Sequence, residues 1–259
     1  MSTSSTSGVR RVALVTGANV GNVGQDIVLR FIREGWNVMM TDLDPRVTEV
    51  CAAAVQSAGG DTGRAAVHPG DLSDESVVNG LVDATIARFG RIDVLVNNAG
   101  RGVITPFLSH TAETLTATLQ RNLWTTIWCC HKVLPHMVRQ NHGRIVNLGA
   151  DSLRTGIPGH AGYNAAKGGV VGLMVGLAQE FAKYDITVNT VSPCVINTAM
   201  MRSLRDADPE RIKKFTDVVP KGRAAEVSEV VDMVHFLARE ENRFITGQDI
   251  SVNGGSAMP

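Results

Sequence analysis

Tyr163 and Lys167 are four residues apart in the segment Tyr-Asn-Ala-Ala-Lys. On a helix this spacing places both side chains on one face, one turn apart. A phenol has a pKa near 10 and transfers protons poorly at neutral pH, but an adjacent ammonium group favours the phenolate and lowers that pKa. Lowering it to about 7 requires roughly 4 kcal/mol of selective stabilisation. The pair therefore predicts acid–base chemistry at an oxygen atom of a substrate.

A glycine-rich turn follows the first apolar run of the chain. Glycines at such a strand-to-helix turn allow a tight bend and close approach of a pyrophosphate, which binds at the helix N-terminus. Asp42 ends the next apolar run, where a carboxylate accepts the ribose hydroxyls of NAD and repels the 2′-phosphate of NADP. No cation directly follows Asp42 to bind a 2′-phosphate, because Arg46 comes only after Asp44. The sequence therefore predicts NAD as the cofactor. We interpret Asp44 as a helix cap. The turn contains Gly17, Asn19, Gly21, Asn22, Val23 and Gly24.

Short apolar runs alternate with longer helical patterns along the whole chain. This alternation predicts the α/β class, a Rossmann-like doubly wound parallel sheet of about seven strands with helices on both faces. No linker or repeat divides residues 11–259, so we expect one domain, with a lid at about residues 199–223. The predicted strands are 12–16, 37–41, 64–68, 92–96, 144–148, 187–191 and 249–252. The predicted helices are 25–34, 46–57, 75–88, 112–139, 162–183 and 228–239.

Composition narrows the possible partners. Lys and Arg number 25 and balance 25 Asp and Glu, so no global charge attracts nucleic acid or an anionic membrane. No apolar run reaches the roughly 18 residues of a membrane span. The four cysteines have neither metal-site nor disulfide spacing, which predicts reduced thiols, a cytoplasmic location and no metal. Residues 1–10 are rich in Ser and Thr and are expected to form a frayed tail.

Taken together, these motifs resemble the short-chain dehydrogenase/reductase family in its short single-domain branch. The resemblance covers about residues 10 to 256. It rests on the Thr16-Gly17 turn, Asp71-Leu72, Asn97-Asn98-Ala99-Gly100, Asn122, Tyr163 with Lys167, Pro193 through Thr198, Phe244 through Gln248, and Asn253-Gly254-Gly255.

The resemblance implies a role for each matching residue. Tyr163 would be the general acid or base, Lys167 would bind the nicotinamide ribose and tune Tyr163, and Asn122 would hold a water that completes a proton relay. Asp71 would either face the adenine amine or cap the following helix. The cofactor-binding set would also include Leu43, Leu72, Asn98, Ala99, Gly100, Pro193, Ile196 and Thr198.

Three positions depart from the family pattern. The glycine turn carries one extra residue, and either Gly21 or Asn22 takes its middle role. Ala150 stands thirteen residues before Tyr163, where the family places a serine that hydrogen-bonds the reacting oxygen; the change is either natural or a deliberate Ser-to-Ala replacement. Ser152, on the same side of an extended chain, is a candidate substitute. Cys194 replaces a glycine, as a packing residue or a reactive thiol.

The sequence predicts a largely apolar substrate pocket. We expect a secondary alcohol or ketone that is cyclic or apolar, or a hydroxyacyl-CoA; the alternative is an NAD-binding protein with impaired or no catalysis. Arg154 binds an acidic group or pairs with Asp151. A glycine stripe at Gly168, Gly172 and Gly176 predicts either a helix contact in a homotetramer or close packing within the subunit. The pocket candidates are Val103, Ile104, Leu153, Arg154, His160, Cys194, Val195, Met200, Met201 and Leu204.

Overall fold

The computed structural model describes residues 10–258, so the predicted tail lies outside the described residues except for Arg10. Seven parallel strands form one sheet in the order β3-β2-β1-β4-β5-β6-β7. Since the strand order reverses between β1 and β4, the sheet is doubly wound, as predicted. The strands are β1 Val12–Thr16, β2 Asn37–Thr41, β3 Ala65–Val67, β4 Val94–Asn97, β5 Gly143–Leu148, β6 Ile186–Pro193 and β7 Asp249–Val252.

Helices pack on both faces of the sheet. Two hydrophobic clusters fill the space between the helices and the sheet. In β1, Ala13 and Val15 belong to one cluster and Leu14 to the other, because successive side chains of a strand point to opposite faces. The helices are α1 Val23–Arg33, α2 Val47–Ser57, α3 Glu75–Phe89, α4 Ala112–Leu119, α5 Thr125–Gln140, α6 Ser152–Thr155, α7 Ala161–Glu180, α8 Ala199–Ala207, α9 Pro209–Thr216 and α10 Val227–Ala238.

The predicted helix 112–139 is not continuous. It is divided into α4 and α5 by a wide π-helical turn over Gln120–Trp124, with Asn122 at its centre. Asn122 Nδ2 donates a hydrogen bond to the Thr118 carbonyl (2.8 Å), one turn earlier in the chain. Such wide turns are frequent at functional sites, and this one places a buried amide beside the start of α7.

The predicted lid segment folds as α8 and α9, which contact each other. Thr198 caps α8 by accepting a hydrogen bond from Met201 N (3.3 Å). Among the described residues, no helix is both long and apolar enough to cross a membrane.

Candidate active site

The predicted site residues lie where the parallel strands end. The glycine turn follows β1, Asp42 follows β2, the Asn98–Gly100 segment follows β4, and Ala150 follows β5. In a doubly wound sheet the crevice at these carboxyl ends is the usual ligand site. The topology therefore gathers segments that are far apart in sequence.

The glycine turn is closed by direct backbone packing. A Cβ atom on Gly17 would lie 2.7 Å from Ala99 Cα, and one on Gly24 would lie 2.7 Å from Asn98 Nδ2. Asn98 Nδ2 donates hydrogen bonds to the carbonyls of Gly17 (2.7 Å) and Thr16 (3.1 Å). No side chain fits at Gly17 or Gly24, so these glycines let the turn pack directly against the segment after β4, as glycines of dinucleotide-binding turns do.

In the lengthened glycine turn, Gly21 and Asn22 have different structural roles. Asn22 caps α1 by accepting a hydrogen bond from Val23 N (2.8 Å), and the buried Val23 begins the helix. Gly21 has φ +72°, a conformation that favours glycine, and a Cβ there would lie 3.2 Å from Ala199 Cβ. The lengthened turn therefore contacts the first residue of α8.

Asp42 follows the end of β2, and the nearby cation, Arg46, is paired with Asp44. Asp42 Oδ1 accepts a hydrogen bond from Asp44 N (2.8 Å), and partial burial raises the Asp42 pKa. Asp44 binds Arg46 Nε through both oxygens (3.1 and 3.0 Å) and accepts a bond from Asn19 Nδ2 (3.3 Å). The prediction that Asp44 caps α2 is wrong, because α2 begins at Val47 and Asp44 closes the preceding turn.

The Asp71 carboxylate forms hydrogen bonds with a residue two positions later in the chain. It accepts hydrogen bonds from Ser73 N (3.0 Å) and Ser73 Oγ (2.8 Å), whereas Asp74 caps α3. The alternative in which Asp71 caps the helix is therefore wrong. Leu72 is buried, and the Leu43 side chain is 66% exposed beside Asp42.

Tyr163 and Lys167 lie together on the first turns of α7, as the spacing predicts. Lys167 Nζ is 5.8 Å from the centre of the Tyr163 ring and donates a hydrogen bond to the Leu148 carbonyl (2.7 Å). Only 4% of Lys167 is exposed. The end of β5 thus holds the amine on the side of α7 that carries the phenol.

Burial, rather than the lysine, dominates the electrostatics of the pair in the chain itself. Desolvation raises the pKa of Tyr163 to about 12 and lowers the pKa of Lys167 to about 8. The lowering of the phenol pKa that the sequence predicts also requires a bound cationic nicotinamide, so it stays a prediction.

Two glycines bring the Asn98–Gly102 segment against the pair. A Cβ atom on Gly100 would lie 2.5 Å from Asn122 Oδ1 and 3.3 Å from Lys167 Nζ, and one on Gly102 would lie 2.5 Å from Tyr163 Cδ2. Asn122 is fully buried, and its Oδ1 has no hydrogen-bond partner among the described residues. A buried unpaired acceptor next to the amine suits an ordered water, as the relay requires. The role of Gly102 was missed, although the Gly-Arg-Gly spacing was visible in the sequence.

The turn after β5 does not place a hydroxyl at the expected position. Ala150 is 7% exposed. Ser152 begins α6 and is not in an extended chain, so its predicted placement is wrong. Its Oγ donates to Asn164 Oδ1 (2.6 Å), and Asn164 Nδ2 donates back to the Ser152 carbonyl (3.0 Å). The Ser152 hydroxyl is therefore committed to α7.

Arg154 is held by two carboxylates rather than facing a substrate. Its Nη2 lies 2.8 Å from Asp249 Oδ2, and its Nη1 lies 3.5 Å from Asp151 Oδ1. Of the two alternatives for Arg154, the structure supports the ion pair with Asp151. Asp151 is 1% exposed and also accepts hydrogen bonds from residues near the C-terminus. The position of Asp151 as an anchor was not predicted.

The remaining substrate candidates are dispersed. Cys194 lines a cavity of about 370 Å³ with Lys221 and Glu229, and partial burial raises its thiol pKa. Val195 and Met201 line a second cavity of about 370 Å³ under α8 and α9. His160 lies edge-on to Tyr163, with ring centres 6.2 Å apart.

Other candidates lie at the rim or in contacts within the subunit. Met200 is 74% exposed, Ile104 packs near Gly159, Val103 N donates to Thr118 Oγ1 (3.2 Å), and Leu153 packs near Gly168. The Ile196 backbone bridges to Ala225, and the Pro193 carbonyl accepts a hydrogen bond from Asp151 N (3.0 Å). Of the pocket candidates, Cys194 therefore lines the first cavity described above, and Val195 and Met201 line the second.

Relatives with similar sequences are dehydrogenases and reductases. The chain is 49% identical to the 2,3-dihydroxy-2,3-dihydro-p-cumate dehydrogenase of Pseudomonas putida over 248 residues, 96% of this chain and 95% of that protein. It is 36% identical to the dehydrogenase subunit BbsD of Thauera aromatica, covering 96% of this chain and 97% of that protein; the name of that subunit gives a hydroxy(phenyl)methyl succinyl-CoA.

Solved structures agree on the fold. Levodione reductase superposes with a TM-score of 0.88 at 32% identity, covering 97% of this chain and 99% of that chain. A variant of actinorhodin polyketide ketoreductase with NADPH gives 0.85 at 32% identity, covering 95% and 97%. The family model described as enoyl-(acyl carrier protein) reductase matches residues 17–257. The chain is therefore an oxidoreductase that belongs to the short-chain dehydrogenase/reductase family, whose members use a nicotinamide cofactor.

Proposed function

We propose that this chain is an NAD-dependent dehydrogenase that interconverts a secondary alcohol on a ring and the corresponding ketone. The observation that carries the proposal is the close approach of Gly102 to the Tyr163 ring, together with a buried Lys167 beside that ring whose amine donates to the Leu148 carbonyl. A ring substrate is supported by the relatives named for a dihydroxy-dihydro-cumate, for levodione and for a polyketide.

Each group of the site has one task in this reaction. Tyr163 accepts the hydroxyl proton in the oxidation direction and returns it in reduction. Lys167 holds a positive charge beside the phenol, and the unpaired Asn122 Oδ1 orients a water next to the amine. When bound, oxidised nicotinamide supplies the hydride acceptor and a second positive charge. Both charges oppose the desolvation that raises the Tyr163 pKa to about 12.

Replacing Tyr163 by Phe tests the proposed base. We expect NADH formation from ring alcohols to fall about 10² to 10⁴-fold, because the proton loses its acceptor. NAD binding, followed by fluorescence, is expected to persist. Tyr184 is the other of the two tyrosines, and its ring lies tilted against that of Phe181, so Tyr184→Phe is the matched control. Equal turnover of Tyr163→Phe and the control would refute the assignment.

NAD is preferred over NADP in this proposal because the Asp42 carboxylate follows β2, where it would accept ribose hydroxyls and repel a 2′-phosphate, and because Arg46 is paired with Asp44. We expect NAD to bind at least tenfold more tightly than NADP in direct titrations. Asp42→Ala removes the repulsion of the NADP 2′-phosphate, and Asp44→Ala releases Arg46 from its ion pair. Each change is expected to narrow the difference between the affinities for NAD and NADP, and the double variant more than either. Tighter binding of NADP by the unaltered chain would contradict this step.

A hydroxyacyl-CoA is the second substrate candidate, and the name of the Thauera relative favours it. Against it, Arg154 is engaged by Asp249 and Asp151, so it is not available for an acidic carrier. Parallel assays with a ring alcohol and with a 3-hydroxyacyl-CoA separate the two substrate classes.

The absence of a serine hydroxyl at Ala150 motivates a third candidate, an NAD-binding protein with little or no catalysis. Loss of one donor to a reacting oxygen typically lowers a rate by about 10² to 10³, and an enzyme accelerating by 10⁶ or more retains activity after such a loss. NAD binding without turnover across a broad panel of ring alcohols would favour this candidate.

We also propose a homotetramer that works in the cytoplasm on a small molecule. Gly172 and Gly176 lie on an exposed face of α7, and a Cβ atom on either would have no neighbour within 4 Å among the described residues. Packing within the subunit therefore does not explain these two glycines. All four cysteines are free thiols, which suits a reducing compartment.

A further inference from the structure

The structure gives the reacting oxygen no protein hydroxyl from the turn after β5. Ala150 presents a methyl group, and its neighbours are fixed to β6: Gly149 N donates to the Val191 carbonyl (2.8 Å), and Asp151 N donates to the Pro193 carbonyl (3.0 Å). These bonds hold the turn in register, so it cannot slide to present another side chain in place of Ala150.

Ser152 is not a free substitute. A hydroxyl has a single proton to donate, and the Ser152 proton is used in the 2.6 Å bond to Asn164 Oδ1. Redirecting it would also disturb the return bond from Asn164 Nδ2 to the Ser152 carbonyl (3.0 Å). Since Ser152 is only 7% exposed, water would not readily replace those partners.

His160 is a polar side chain whose ring contacts that of Tyr163. Its Nδ1 lies 3.1 Å from the Pro158 carbonyl, and its ring meets the Tyr163 ring edge-on. The Asn122 amide nitrogen donates to the Thr118 carbonyl, and the unpaired Asn122 oxygen is an acceptor. His160 therefore is the protein alternative that an experiment has to exclude.

We propose that the substrate itself supplies the missing donor, from a hydroxyl on the carbon next to the one that is oxidised. The substrate class is then a ring-borne vicinal diol, which deepens the proposed function and rests on it. The neighbouring hydroxyl donates to the oxygen that gives up its proton to Tyr163, and stabilises the negative charge that develops there. Because position 150 carries a methyl group, no serine hydroxyl competes with this neighbouring hydroxyl to donate to the reacting oxygen.

Three substrates that differ in one group test the proposal on the unaltered enzyme with NAD. They are a ring vicinal diol, the monomethyl ether that leaves the oxidised hydroxyl free, and the alcohol in which the second oxygen is absent. We expect kcat/KM for the diol to exceed that of the simple alcohol by about 10² to 10³-fold. The ether, which keeps the oxygen but lacks the proton, is expected to be as slow as the simple alcohol.

Ala150→Ser is the complementary variant. Since the serine returns a protein donor, kcat/KM for the simple alcohol and for the ether is expected to rise, and the diol preference to narrow by about tenfold or more. His160→Phe is expected to keep the diol preference. Equal wild-type rates on diol and ether, a loss of the preference in His160→Phe, or an equal gain on all three substrates in Ala150→Ser would each overturn the inference.

Failure of the proposed function has a different signature. In that case no ring alcohol is oxidised by the wild type or by Ala150→Ser, although NAD binds. The inference alone fails when the wild type oxidises ring alcohols without regard to the neighbouring hydroxyl. The comparison of three substrates on the unaltered enzyme stands even if a variant does not fold.

Discussion

Two walls of the site use their polar groups in opposite ways. The helix wall, formed by Tyr163, Lys167 and Asn122, leaves atoms for the reaction: the phenol, the amine and the unpaired Asn122 Oδ1. The turn wall, residues 149–152 after β5, commits its polar side chains to the protein. Ser152 bonds Asn164, and Asp151 is surrounded by donors. The helix wall therefore leaves polar atoms for a substrate, whereas the polar side chains of the turn wall are bonded within the protein.

The difference separates two requirements of alcohol oxidation. In the proposed function, proton transfer depends on the helix wall, where the types and positions of the groups match the family pattern. Stabilisation of the reacting oxygen would depend on the turn wall, where Ala150 has no donor. A site with one requirement met and the other unmet is expected to select substrates that bring the second group with them.

The largest expected effect concerns the anchor of the turn wall. Asp151 accepts hydrogen bonds from Ser256 Oγ (2.7 Å), Asn253 Nδ2 (2.9 Å) and Ser251 Oγ (3.1 Å), and it also pairs with Arg154. Asp151→Ala removes the buried carboxylate that these four groups share. We expect urea denaturation to show a loss of about 3 to 5 kcal/mol in the free energy of unfolding.

The control for this change is Asp206→Ala, because the Asp206 side chain is 77% exposed. Surface substitutions of this kind usually change stability by less than about 0.5 kcal/mol. A loss in Asp151→Ala no greater than in the control would mean that the turn wall is held by its backbone bonds alone, and the contrast between the walls would weaken.

The next effect tests the electrostatics of the helix wall. Burial lowers the pKa of Lys167 from 10.5 to about 8. Between those pH values the unfolded chain binds a proton that the folded chain does not, so this residue makes the folded state more stable as the pH rises. Below pH 8 its buried charge costs roughly 3 kcal/mol. Lys167→Met is therefore expected to raise the free energy of unfolding at pH 7 while abolishing turnover.

The gain in Lys167→Met is expected to shrink towards pH 10, and denaturation curves at pH 7 and 9.5 measure it. Higher pH is avoided because burial raises the Tyr163 pKa to about 12, so between pH 10 and 12 the unfolded chain loses a proton first and stability falls. Lys183→Met, which alters an exposed lysine, is the control. A Lys167→Met protein less stable than wild type at both pH values would show that the amine stabilises the fold.

The helix wall was predictable from the sequence because its members are fixed by local spacing and by residue type. Tyr163 and Lys167 are one helical turn apart, and the apolar strands predicted the sheet that supports them. The break at Asn122 was not predictable, since the hydrophobic pattern runs through 112–139 without interruption. The turn wall was not predictable either. The Asp151 carboxylate accepts hydrogen bonds from Ser251, Asn253 and Ser256, which are separated from it by 100, 102 and 105 positions in the sequence. Such contacts depend on tertiary structure rather than on a local pattern.

The smallest expected effect concerns the exposed face of α7, the helix that carries Tyr163 and Lys167. An alanine Cβ at Gly172 would meet nothing within 4 Å among the described residues. In an isolated subunit, Gly172→Ala is therefore expected to stabilise the helix by about 1 kcal/mol.

The result differs if a second copy packs closely on this face, as the proposed homotetramer requires. The added methyl group of Gly172→Ala then offsets the gain in helix stability. The bulkier Gly172→Leu is expected to shift the mass measured by light scattering towards smaller species. Loss of the contact would also loosen the helix wall, so we expect Gly172→Leu to lower kcat as it dissociates. A wild-type protein that is monomeric at micromolar concentration, with Gly172→Ala simply more stable, would show that the helix wall is rigid without a partner subunit.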